Sequence, residues 1–115
     1  MVRPGLAFWK NDHPWIILTD PLPPSGKVVC VNLTSFDAEC KDDVCILYPS
    51  DYAWIKRPTA VAFSYARLFD IGKLEENLTK KILRLANPPD IPPITFAKIR
   101  QIAKTALDRD TARFL

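Results

Sequence analysis

The sequence predicts an α+β fold: a small barrel or strongly bent antiparallel sheet of about five to six mostly antiparallel strands, then two C-terminal helices. Three observations carry this. The first 69 residues hold short apolar runs rich in β-formers, separated by turn signals. The last third instead repeats its apolar residues at helical spacing. Eleven prolines against three glycines give the chain many fixed corners and few flexible ones. With 115 residues, 48% of them apolar, the ordering entropy of a packed core can be met, and one domain over 1–115 is expected.

The strands come first. Residues 5–10 read as a strand and residues 11–14 as its loop, with His13 pushed toward an extended conformation by Pro14. Residues 15–19 are a continuous apolar run, which suits a buried strand. Residues 20–26 carry three prolines and a glycine and can only be a loop. The strand over 27–34 puts Val29, Val31 and Leu33 on one face and Cys30, Asn32 and Thr34 on the other. An acidic turn over 35–43 leads to a strand at 44–48, stopped by Pro49. A short extended piece at 52–55, the basic turn Lys56-Arg57-Pro58 and a strand at 60–65 follow. The barrel therefore occupies about 5–69. Its expected core includes Trp15, Ile17, Val29, Val31, Leu33, Ile46 and Val61.

Leu74, Leu78, Ile82 and Leu85 form an apolar stripe that predicts a helix over about 72–86, closing the barrel. The proline-rich stretch 87–93 breaks it. Phe96, Ile99, Ile102, Ala103, Ala106 and Leu107 predict a second helix over about 95–108, with Thr95 as N-cap, which either covers a sheet edge or extends a dimer interface.

Several function classes fall away. No apolar run approaches the ~20 residues of a spanning helix, so no membrane segment is expected. Residues 1–5 lack the basic and apolar regions of a secretory leader, and three cysteines are few and odd, so a reducing, cytoplasmic setting is expected. Cys30, Cys40, Cys45 and His13 lack the paired spacing of a zinc site, and no metal or other cofactor is expected. No glycine-rich phosphate loop is present. Charge is uneven. Residues 1–51 hold four Lys/Arg against seven Asp/Glu, net −3, whereas residues 52–115 hold twelve against six, net +6. A basic half suits either a phosphate-binding face or solvated helix faces.

Pro14-Trp15-Ile16-Ile17-Leu18-Thr19, a loop, and then Val28-Val29-Cys30-Val31-Asn32-Leu33-Thr34-Ser35 resemble the PemK/MazF-like toxins. Residues 60–67 and 74–85 resemble that family's late strand and C-terminal helix, so the likeness covers about 4–86. It implies an SH3-like barrel, a homodimer, metal-free cleavage of single-stranded RNA, and neutralisation by an antitoxin protein. Thr34, Ser35 and Arg67 match the family pattern. His13 stands where the family has Arg, and Ser64 and Ala62 stand at about the positions of its late-strand Asp and Arg. The departures leave two readings: an endoribonuclease of a toxin-antitoxin system, or an inactive barrel that binds protein or nucleic acid.

The residues themselves can be read for such chemistry. Metal-free RNA cleavage needs a base for the 2′-hydroxyl, an acid for the leaving 5′-oxygen and donors on the phosphate. His13 is the only imidazole of the chain, the side chain type that exchanges protons near neutrality. Arg57 or Arg67 could fork onto a phosphate, with Lys56 adding charge beside Arg57. Thr34 and Ser35 could donate hydrogen bonds at a strand end, and Trp54, Tyr52 and Tyr65 could stack bases. If the strands starting near His13 and ending near Thr34 are antiparallel neighbours, His13, Thr34 and one arginine, Arg57 by preference, meet at one end of the barrel. The expected catalytic set is thus His13, Thr34 and Arg57. The expected substrate-binding set is Ser35, Lys56, Tyr65 and Arg67.

Overall fold

A computed structural model describes residues 2–115. The chain runs β1 (Leu6–Lys10), β2 (His13–Ile17), β3 (Lys27–Ser35), β4 (Ile46–Leu47), β5 (Thr59–Asp70), α1 (Ile71–Thr79), β6 (Arg84–Asp90), α2 (Pro93–Ala106) and α3 (Arg109–Ala112). All six strands join one antiparallel sheet in the order β4-β5-β3-β2-β1-β6, which curls into a half-barrel. The α+β class with its small, bent antiparallel sheet is therefore as the sequence predicts.

The first three strands follow from their residues. Asn11 and Asp12 both take positive φ, 51° and 64°, the two-residue turn whose twist matches the flanking strands. This tight turn draws His13 and Pro14 out of the expected loop and into β2, paired with Lys10 and Trp9. Alternation then divides the sheet into two apolar faces. Ala7, Ile16, Leu18, Val29, Val31, Leu33 and Val61 pack with Ile99 and Ala103 of α2. Leu6, Phe8, Trp15, Ile17, Val28 and Cys30 pack with Leu74 and Leu78 of α1. Burial on both faces is why residues 15–18 and 28–31 read as unbroken apolar runs.

β5 is longer than its apolar pattern suggests. Its pairing with β3 slips between Cys30↔Arg67 and Asn32↔Ala62, so Phe63 to Ala66 bulge opposite Val31. The bulge is fixed by Asp42, whose carboxylate accepts from the Ser64 N–H at 3.2 Å and from its Oγ at 2.7 Å.

Five expectations are corrected. The helix over 72–86 ends at Thr79: Lys81 takes φ 61°, which no helix continues, and Ile82 and Leu85 are exposed. Residues 84–90 instead form β6, an outermost strand on β1, where Pro88 and Pro89 can be tolerated. The piece at 52–55 is a turn rather than extended chain. Ile46 is only half-buried, because the short β4 turns Leu47 inward and the Ile46 carbonyl accepts from Lys98 Nζ at 2.9 Å. Thr95 lies inside the first turn of α2 with Pro92 at the N-cap, and its buried Oγ1 donates to the Asp51 carbonyl at 2.7 Å.

No helix among the described residues is long and apolar enough to cross a membrane.

Candidate functional site

A cleft of about 580 Å³ opens where the β1–β2 turn, the end of β3 and the segment before β5 meet. The β2–β3 pairing ends at Trp15 with Asn32, and beyond it the start of β2 and the end of β3 bring His13 and Thr34 to the same cleft. On the far side of β3, Ser35 pairs with Thr59, and the chain just before Thr59 is Lys56-Arg57-Pro58. The cleft is accordingly lined by His13, Thr34, Ser35, Lys56 and Arg57, with Trp9 and Trp54 as its aromatic wall. Asp12 is the single carboxylate among the lining residues.

The segment carrying Lys56 and Arg57 is tethered, although its backbone has little regular structure. Tyr52 is 1% exposed and plugs the core from within it, and its hydroxyl donates to the Pro88 carbonyl at 2.5 Å. Burial pushes the Tyr52 phenol up from its ordinary range, so the donor keeps its proton. The Trp54 ring lies 4.9 Å from Tyr52 and 5.4 Å from Trp9, between centroids. Thr59 Oγ1 donates to the Arg57 carbonyl at 2.8 Å, and the Phe36 N–H donates to the Pro58 carbonyl at 3.1 Å. His13, Lys56 and Arg57 are exposed, and none is in an ion pair among the described residues.

The other expected residues lie elsewhere. Tyr65, exposed, lines a hollow of about 390 Å³ that shares Thr34 and Ser35 with the cleft and adds Asp37, Cys40 and Asp42. Arg67 pairs in register with Cys30, toward the opposite end of β5 from Arg57. It therefore stands apart from the group that the cleft collects. Tyr52 is removed from the base-stacking set by its burial, whereas Trp54, half-buried, faces the cleft. Sequence reading missed Asp42. Its partner Ser64 is 22 residues away, and only the β5 bulge joins them. A carboxylate is thus bonded to Ser64 although the strand itself carries none there.

The cysteines are all free. Burial pushes the Cys30 thiol strongly up, and it also raises that of Cys45, against a smaller lowering by Lys98. Cys40 is half-exposed, with Sγ donating to the Asp42 carbonyl at 3.3 Å. We expect a disulfide reagent such as Ellman's to titrate Cys40 alone in the folded chain and all three thiols after denaturation. Rapid reaction of Cys30 without denaturant would contradict the packing. Among the described residues no three His, Cys, Asp or Glu side chains gather closely enough to hold a metal ion.

Comparison with protein-family models, curated proteins and solved structures gave no match.

Proposed function

We propose that the chain is a PemK/MazF-like endoribonuclease that cleaves single-stranded RNA without a metal, as the toxin of a toxin-antitoxin pair. The observation that carries this reading is the cleft itself, where the one imidazole of the chain lies with two hydroxyls and two cations that are in no ion pair among the described residues. In this reading His13 takes the proton of the 2′-hydroxyl, whose oxygen attacks the phosphorus. The bond to the 5′-oxygen breaks, that oxygen picks up a proton from water, and a 2′,3′-cyclic phosphate remains. Arg57 forks onto the non-bridging oxygens and Lys56 adds a point charge. Thr34 and Ser35 donate hydrogen bonds to the same phosphate. Trp54 offers a ring edge to a neighbouring base.

The resemblance supports the same assignment from another side. The Asp42 carboxylate, bonded to Ser64, brings an acidic group near the strand position where the resemblance expects an Asp, in the hollow beside the cleft. A homodimer and an antitoxin protein belong to this reading as partners, as does a cytoplasmic location. Tyr65 and Arg67 are assigned to more distant parts of the RNA strand.

The test is incubation of the purified protein with single-stranded and structured RNA in EDTA. The expected result is cleavage of the single strand alone, leaving cyclic-phosphate and 5′-hydroxyl ends. RNA that binds but stays intact would identify the barrel as a binding module.

A further inference from the structure

The cleft holds one charged group that the cleavage chemistry leaves unused. Asp12 is the single carboxylate in a lining that also carries His13, Lys56 and Arg57, yet its side chain is in no ion pair or hydrogen bond among the described residues. It stands at the second central position of the β1–β2 turn with φ 64°, where glycine is the usual choice because it has no Cβ to clash. The side chain is exposed and gives the turn no polar contact that would favour it over glycine. Opposite it stands the aromatic wall. Trp9 and Trp54 meet at 5.4 Å between centroids, and the Arg84 guanidinium sits over the Trp9 ring at 5.8 Å. Both rings are half-buried and line the cleft.

We propose that Asp12 reads guanine. The cleft seats a guanine base next to the scissile phosphate, against the Trp9–Trp54 wall, with the Asp12 carboxylate on its Watson–Crick edge. The inference rests on the RNA-cleavage reading and names the base which that reading leaves open. Guanine is the one RNA base with two adjacent donors on that edge, N1–H and the N2 amine. It alone can place two parallel charge-assisted hydrogen bonds on one carboxylate. Adenine and cytosine each bring one donor beside a ring-nitrogen lone pair, and uracil brings one donor between two carbonyls. A carboxylate repels those lone pairs. A purine also covers more of an aromatic wall than a pyrimidine does. The same charges orient the strand, because Asp12 repels the phosphate while Lys56 and Arg57 draw it toward their own segment.

The test compares two short unstructured RNAs of A, C and U, identical except that one carries a single G in place of one A. With the full chain we expect cleavage beside the G, at a kcat/KM ~10-fold or more above that of the G-free strand. Inosine, which lacks the N2 amine, should lose most of that advantage. Asp12→Asn exchanges one acceptor for a donor, and Asp12→Gly removes the side chain while suiting the turn. Each should bring the ratio between the two strands to within about twofold of one. Arg57→Ala, which acts on the phosphate, should lower both rates and keep the ratio. A merely structural role of Asp12 in the turn would also keep it, and an unchanged ratio in Asp12→Asn overturns the proposal. Equal cleavage of both strands by the wild type overturns it too, while the nuclease reading stands. If neither strand is cut, the nuclease reading fails, and fluorescence anisotropy of the same strands decides on the base. Tighter binding of the G strand, lost in Asp12→Asn, would support the assignment, and equal affinities would overturn it.

Discussion

His13→Ala should lower RNA cleavage by ~10²–10⁴-fold, the usual contribution of a positioned general base. The fold should not notice the change. His13 is exposed at the first position of β2, outside both apolar faces, and the turn before it is set by Asn11 and Asp12. Thermal unfolding of the variant should therefore match the wild type while turnover collapses. Arg67→Ala is the matched control, since Arg67 lies toward the other end of β5 from Arg57. Its turnover should stay close to wild type on a short substrate. Equal rates for His13→Ala and wild-type protein would remove the imidazole from the mechanism and leave the cleft as a binding surface.

Leu33→Ala should cost roughly 2–5 kcal/mol of folding free energy. Leu33 is 1% exposed, pairs with Val61, and packs in the apolar cluster that joins β2, β3 and β5 to α2. Truncation removes its methyl groups from a site ringed by fixed strands, which cannot easily collapse onto the space. A urea series should show the midpoint falling with little change in slope. A loss below about half a kcal/mol, the range of a surface change, would mean that the position is not part of a packed core. Leu33 also adjoins Thr34 and Ser35 in the cleft wall, so the variant should lose some activity well below its unfolding midpoint.

The strands were legible wherever one residue pattern had one meaning. Val29, Val31 and Leu33 alternate cleanly, and their face is as expected. The cleft group of His13, Thr34 and Arg57 could be foreseen because strand polarity alone brings the start of β2 to the end of β3. The helix stripe misled because Ile82 and Leu85 fall on helical spacing by coincidence, while Lys81 turns the chain out of the helix. β6 was hidden by its prolines, which argue against a strand unless it lies outermost, and position in a sheet is a tertiary fact. Asp42 and Tyr52 were misjudged for a related reason. One is recruited by a bulge in a distant strand and the other is drawn inward to a carbonyl of β6. Neither partner is near in sequence.

The two margins of the sheet set a rule for how copies of this chain can assemble. On one side β4 offers only two residues, and the Ile46 carbonyl already holds Lys98. On the other, Pro88 and Pro89 remove two donors from β6. Neither of these two outermost strands presents an unbroken ladder of free N–H and C=O groups, so a second copy finds only a broken template on β4 or β6. Past the two residues that β4 covers, the margin is β5 itself, where the Ser64 N–H is already taken by Asp42. The stretch of β5 beyond that bond is thus where another strand would have to begin.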